Sequence, residues 1–277
     1  MSTDHSLPAA ILAIDSLLSV PAIYNIFKHG FRHAAILGWG YFFIFLSLRI
    51  ISSALQLGGS DGSTASIVAS IGLSPLLLSM LGLLHEARSY MFDSRNKKTE
   101  LIWVLALHIL ITTAVALVAS GASAMSKPDA TGDDRAKDKT LVTVGMVLLL
   151  LSWVQIALVA GVSFIARPRA GTSGHDDHRQ GSRLLYAVLF AVPFIGIRII
   201  VSLVYFATQN QALSPVAGSM GAKVGLGFIE ELLVSIAFVV VGVMTRNVGK
   251  GRTRQKVSTE QAAWGSQHGL SSVRSRA

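Results

Sequence analysis

The sequence predicts an all-α polytopic membrane protein: a seven-transmembrane-helix bundle with its N-terminus outside and its C-terminus in the cytoplasm. Three observations carry this. Of the 277 residues 51% are hydrophobic and only 14% charged, too apolar over too many long runs for a water-soluble domain of this size. Seven of those runs reach the roughly 20 residues that a helix needs to cross a hydrocarbon core. The Lys and Arg residues then gather on alternate sides of the runs, which fixes an orientation.

The runs cover 8–27, 34–57, 64–86, 100–124, 140–166, 183–208 and 222–245. They lack the alternating pattern of barrel strands, and a span in lipid must satisfy its own backbone hydrogen bonds, so each is a helix. Span 1 holds Asp15 and Pro21 and is followed by Lys28 and Arg32. With no basic segment before it, it reads as a retained span and not as a cleaved leader. Span 2 carries Arg49, and span 3 carries Pro75 and ends at His85 and Glu86. Span 4 holds His108 and Thr112, span 5 Gln155, and span 6 Pro193 and Arg198. Span 7 opens on Gly221, Gly225 and Gly227 and continues into Glu230 and Glu231. Pro21, Pro75 and Pro193 are expected to kink their helices, His108, Thr112 and Gln155 to make interhelical hydrogen bonds, and the glycines of span 7 to permit close helix packing.

The gaps after spans 1, 3 and 5, together with the tail, hold 17 of the 24 Lys and Arg residues. That places these gaps and the tail in the cytoplasm. Residues 1–245 therefore form one transmembrane domain, and 246–277 a basic, disordered cytoplasmic tail near anionic lipid. Segments 125–139 and 167–182, rich in Gly, Ser, Asp and basic residues, read as flexible loops. The membrane is the plasma membrane or the endoplasmic reticulum. The formal charge of +9 reports orientation. No nucleic-acid partner is expected, because the basic loops carry no interleaved aromatics.

The chain has no cysteine, which excludes disulfides, thiolate metal sites and cysteine nucleophiles. His85-Glu86 lacks the second histidine of a zinc-protease helix. His175-Asp176-Asp177-His178 sits in a Gly-flanked polar stretch without fixed geometry, so no metal and no cofactor are expected. Glu86, Arg88 and Tyr90 have the residue types, but not the spacing, found at the inner end of the third helix of rhodopsin-like receptors.

The informative residues are the charges inside the spans. Asp15, Glu230 and Glu231 lie seven or eight residues below the outer ends of spans 1 and 7. Arg49 and Arg198 lie about 15 residues above the inner ends of spans 2 and 6, and at about 1.5 Å per residue all five fall at similar depth. Intramembrane charge marks a functional site by default. Candidate ligand-binding residues are Arg49, Arg198, Glu231, Asp15, Tyr205 and Tyr41, and candidate proton donors are Glu231, Glu230 and Asp15. The Gly227, Glu231 and Ser235 stripe selects Glu231 over Glu230 as the inward acid, since successive residues are rotated by about 100°.

Spans 2 and 6 also match each other, Phe45-Leu-Ser-Leu-Arg49-Ile-Ile51 against Phe194-Ile-Gly-Ile-Arg198-Ile-Ile200. This is the pattern of an internal repeat. The stretch His29-Gly-Phe-Arg32-His-Ala-Ala-Ile-Leu-Gly38-Trp39, with Leu48-Arg49-Ile50 and Gly196-Ile-Arg198, resembles a group of uncharacterised fungal seven-span integral membrane proteins. The resemblance runs over about residues 8 to 245 and implies a fungal source and seven spans. It implies no site.

The leading functional expectation is an intramembrane polar pocket for a small molecule or lipid, in a receptor-like sensor or transporter. An alternative is a membrane-embedded acid–base enzyme such as an isoprenoid cyclase or isomerase, with Tyr41, Phe45, Phe194 and Tyr205 shielding a developing cation. A third is a structural protein whose buried charges only fix helix register. The expected partners are the bilayer, an unknown small molecule or lipid, and anionic lipid at the tail.

Overall fold

A computed structural model describes residues 5–29, 36–58, 72–92, 97–125, 132–166, 175–208, 221 and 224–246. The described residues are almost entirely helical. Helix α1 covers Ser6–His29. A π-helical turn, Ile36–Gly40, leads into α2, Tyr41–Leu57. Then come α3, Leu73–Met91, α4, Lys97–Met125, α5, Gly132–Ile165, and α6, His175–Thr208. A second π-helical segment, Val224–Ile229, leads into α7, Glu230–Thr245.

Six of these helices are long and apolar enough to cross a membrane, with mean hydropathy from 1.5 to 2.5 over their apolar windows. Their outer faces carry large apolar side chains that no other part of the chain covers, among them Leu17 and Phe27 on α1, Ile102 and Ile109 on α4, and Leu158 and Val162 on α5. A surface that apolar fits hydrocarbon, not water.

Helix α3 differs. At 19 residues it is long enough, at about 28 Å, yet its His85, Glu86, Arg88 and Ser89 leave it without an apolar stretch as long as those of the other helices. Fifteen of its 19 residues are buried, because it is surrounded by protein. It packs on α2 and α6 and also touches α4 and α5, while α1 joins α2 to α7, α7 joins α6, and α5 lies between α4 and α6. Helix α3 is thus enclosed by α2, α4, α5 and α6.

Glycine lets α3 sit so close. A Cβ on Gly82 would lie 2.6 Å from the Gly38 Cα and 2.7 Å from the Leu37 carbonyl carbon, so backbone meets backbone where α3 crosses the π-helical turn before α2. Elsewhere α4 and α5 approach through Gly145, whose Cβ would fall 2.7 Å from the Ala114 carbonyl. By contrast, the glycines expected to pack span 7 do not. A Cβ on Gly221 or Gly225 would meet nothing within 4 Å, and one on Gly227 would meet only the Arg198 guanidinium, at 3.4 Å.

Other expectations change as well. Helices α5 and α6 begin at Gly132 and His175, inside the two segments read as flexible loops. The Asp133 and Asp134 carboxylates occupy the first turn of α5, where the helix dipole favours negative charge. The His175–His178 stretch opens α6 and is not loop. Pro21 and Pro193 lie inside α1 and α6. Pro75 falls in the first turn of α3, where a missing N–H interrupts nothing, so no kink arises there. Residues 64–71 of the third expected span and the tail beyond Arg246 lie outside the described residues.

Candidate functional site: a buried charge layer and a second polar cluster

The intramembrane charges come from four helices, and each is placed by the apolar residues around it. Asp15 on α1, Glu230 and Glu231 in the first turn of α7, Arg49 on α2 and Arg198 on α6 all project into the bundle, and the three acids are at most 7% exposed. Glu231 is the hub. Its Oε2 lies 2.8 Å from Arg49 Nη1 and its Oε1 lies 3.2 Å from Arg198 Nε. The first contact is close but off the hydrogen-bonding axis, so it is an ion pair only. Asp15 adds a looser ion pair, with its Oδ2 3.6 Å from Arg49 Nε.

The π-helical segment before α7 runs over the Arg198 guanidinium at Gly227. Glu230 is the odd group: it is buried, and its Oε2 has no hydrogen-bond partner. It faces a shallow recess, lined also by Leu73, Leu76, Phe194, Arg198 and Val234, that is too narrow to hold a water molecule. With every group ionised, three carboxylates oppose two guanidinium ions. A close-packed layer of this kind holds its charges chiefly by mutual Coulomb attraction in a medium that screens little.

The structure therefore brings Arg49, Arg198, Glu231 and Asp15 together, with Glu230 beside them. It does not bring in the two tyrosines. Tyr41 lies about 12 Å along α2 from Arg49, and its hydroxyl is 3.1 Å from His108 Nε2 on α4. Tyr205 lies about 10 Å along α6 from Arg198 and meets Phe206 edge to face, with ring centroids 5.0 Å apart. Of the three polar residues expected to bond between helices, His108 does so, through Tyr41. Thr112 donates back to the His108 carbonyl of its own helix at 2.9 Å. Gln155 is exposed on the outer face of α5. Among the described residues no group of His, Cys, Asp and Glu could hold a metal ion.

A second polar cluster sits at the opposite end of α1, α2 and α7, and sequence reasoning missed it. Glu86 on α3 is 1% exposed. Its Oε1 is 2.9 Å from His29 Nδ1, and its Oε2 accepts a hydrogen bond from Trp39 Nε1 at 3.1 Å. The other ring nitrogen of His29, Nε2, is 3.0 Å from the Gly242 carbonyl oxygen on α7. The His29 and Trp39 rings are in tilted contact, with centroids 4.8 Å apart. Gly242 is needed here, since a Cβ would strike Asn25 Nδ2 and the Trp39 ring.

The arginine next to Glu86 turns elsewhere. Arg88 donates to Glu100 Oε1 at 3.0 Å and to Ser163 Oγ at 2.6 Å, and His85 lies 3.4 Å from the same Glu100 oxygen. The signal in the sequence was present but unassigned. His29, Gly38 and Trp39 are among the residues that carry the family resemblance, and all three meet α3 or α7 at this cluster or at the Gly82 crossing.

No curated protein and no solved structure matches this chain. One family model does, described as a domain of unknown function, DUF7702, and it spans residues 3–248. That range holds every described helix, both clusters and the residues that carry the resemblance. With its six membrane-length apolar helices, this integral membrane protein belongs to the DUF7702 family, whose function is unknown.

Proposed function

We propose that this chain crosses the membrane seven times, with α3 as the central span, its N-terminus outside and its C-terminus in the cytoplasm, and that it works as a receptor-like sensor or transporter through the charge layer. The odd number of helices puts the two ends on opposite sides, and the resemblance to fungal seven-span proteins supports the count. The plasma membrane or the endoplasmic reticulum is its site.

One observation carries the functional reading: two arginines share the single carboxylate of Glu231 while a third acid, Glu230, stays buried with an oxygen unpartnered. Fixing helix register needs no surplus acid, and burying one costs several kcal/mol, about the scale of an effective ion desolvation. A polar small molecule or lipid headgroup that bonds to Arg198 and Glu230 would release Glu231 to Arg49 alone. The pairing has two discrete arrangements, which a ligand can select between.

The register-only reading has its own supporting observation, the narrowness of the recess. The two separate by a mass-spectrometric inventory of small molecules and lipids copurifying with the wild-type protein and with Arg198→Met. The site reading expects a near-stoichiometric species in the first that is lost in the second. Identical inventories from two folded proteins leave the register-only reading in place.

A further inference from the structure

We propose that His29 and Glu86 form a proton-binding site at the end of the bundle opposite the charge layer, with the proton itself as its ligand. The inference goes beyond the reading above and does not depend on it. It follows from counting hydrogens. His29 Nε2 faces the Gly242 carbonyl at 3.0 Å, and a carbonyl only accepts, so Nε2 carries a hydrogen. Nδ1 faces Glu86 Oε1 at 2.9 Å. An ionised carboxylate also only accepts, so a neutral ring would set two lone pairs against each other at that distance. The contact is satisfied only if one more proton sits between them, on Nδ1 or on the carboxyl.

The surroundings place that proton on the ring. Trp39 Nε1 donates to Glu86 Oε2 at 3.1 Å, and the Tyr90 hydroxyl reaches Oε1 at 3.5 Å. In both contacts the carboxylate oxygen is the acceptor. Thr245 Oγ1 gives its hydrogen to the Val241 carbonyl at 2.7 Å, which turns a lone pair toward His29 Nε2 at 3.4 Å. Among the described residues the other charged groups nearby are turned elsewhere: Arg88 and His85 pair with Glu100, Arg246 reaches the Tyr24 hydroxyl, and Lys28 lies over the Tyr24 ring. His29 is the ion-pair partner of Glu86 among the described residues.

On loading, the Nδ1 lone pair forms an N–H bond to a proton from hydronium, whose O–H bond breaks to leave water, and no other bond of the protein changes. On release, an acceptor faces an acceptor at Glu86 or at Gly242, and α1 is pushed from α3 or from α7. Of these, α1 and α7 also carry charges of the layer, and α3 lines the recess beside it with Leu73 and Leu76. Asp15 precedes His29 by 14 residues on α1, and Glu231 precedes Thr245 by 14 on α7, about 21 Å in each case. A proton at one end thus holds together the helices that position the ions at the other.

The test is nitrogen NMR of the full chain in lipid nanodiscs at neutral pH with ring-labelled histidine. His29 is identified by its contact to the Trp39 indole, so the primary measurement needs no variant. The expected spectrum has both His29 ring nitrogens protonated. In Glu86→Gln the amide donates to Nδ1 and the ring loses the second proton, giving the neutral form with hydrogen on Nε2 alone. Infrared difference spectra of wild type and Glu86→Gln check the other location, a carboxylic-acid carbonyl band from Glu86. A neutral His29 ring together with the absence of that band overturns the proposal.

Discussion

Arg49 and Arg198, on different helices, are joined through a single carboxylate: Glu231 gives one oxygen to each, at 2.8 and 3.2 Å. The two cations are not equivalent, because Arg49 also has Asp15 at 3.6 Å. The consequences of removing each partner therefore differ.

Replacing Glu231 with Leu strips both arginines of their shared partner and is expected to destabilise the bundle by about 3–5 kcal/mol, the usual cost of stranding a buried charge. Arg198→Met leaves Glu231 with Arg49 and is expected to cost less than half of that. Thermal unfolding in a mild detergent ranks the two. Equal losses would show that Arg49 alone does not hold Glu231. Recovery of wild-type stability and wild-type copurified lipid in the double variant would favour a purely structural layer.

Gly82→Ala is expected to destabilise by about 1–3 kcal/mol, as overpacking does, because the added Cβ meets the Gly38 backbone, which cannot rotate away. Gly225→Ala is the control, since its Cβ would meet nothing within 4 Å. If both variants melt together with the wild type, α3 does not cross the turn before α2 as closely as the structure has it.

Orientation can be read with reporters. A fusion at Ala277 is expected on the cytoplasmic side, and a glycosylation acceptor placed near Gly132 is expected to be modified, because Lys and Arg crowd the opposite face. A glycosylated tail would reverse the topology.

Deleting residues 250–277 is expected to leave the melting temperature unchanged, since no described helix extends past Thr245. The same deletion is expected to weaken binding to vesicles containing phosphatidylserine, because it removes Lys250, Arg252, Arg254 and Lys256 at about 1 kcal/mol per basic residue near the surface. Degradation or aggregation of the truncated protein would show that the tail supports the fold.

Helix and membrane character were legible in the sequence because both are local. A run of apolar residues must be helical in lipid, and a fixed rise per residue converts position into depth. That is why Asp15, Arg49, Arg198, Glu230 and Glu231 could be placed in one layer from spacing alone, and why the Gly227, Glu231 and Ser235 stripe pointed to Glu231, which the structure sets against Arg198. The helix starts at Gly132 and His175 were less legible, since polar residues, and even a lone Gly such as Gly181, can continue a helix as well as form a loop.

Only the tertiary structure decided which helix sits in the centre and where the span-end polar groups point. Glu86, at the end of an apolar run, reads as a residue at the membrane surface. It is buried because Gly82 lets α3 approach α2 and because His29, Trp39 and Tyr90 converge on its carboxylate. Those partners lie up to 57 residues away along the chain. Periodicity reports which face of a helix is apolar, but not which neighbour that face meets, and a buried carboxylate is decided by its neighbours.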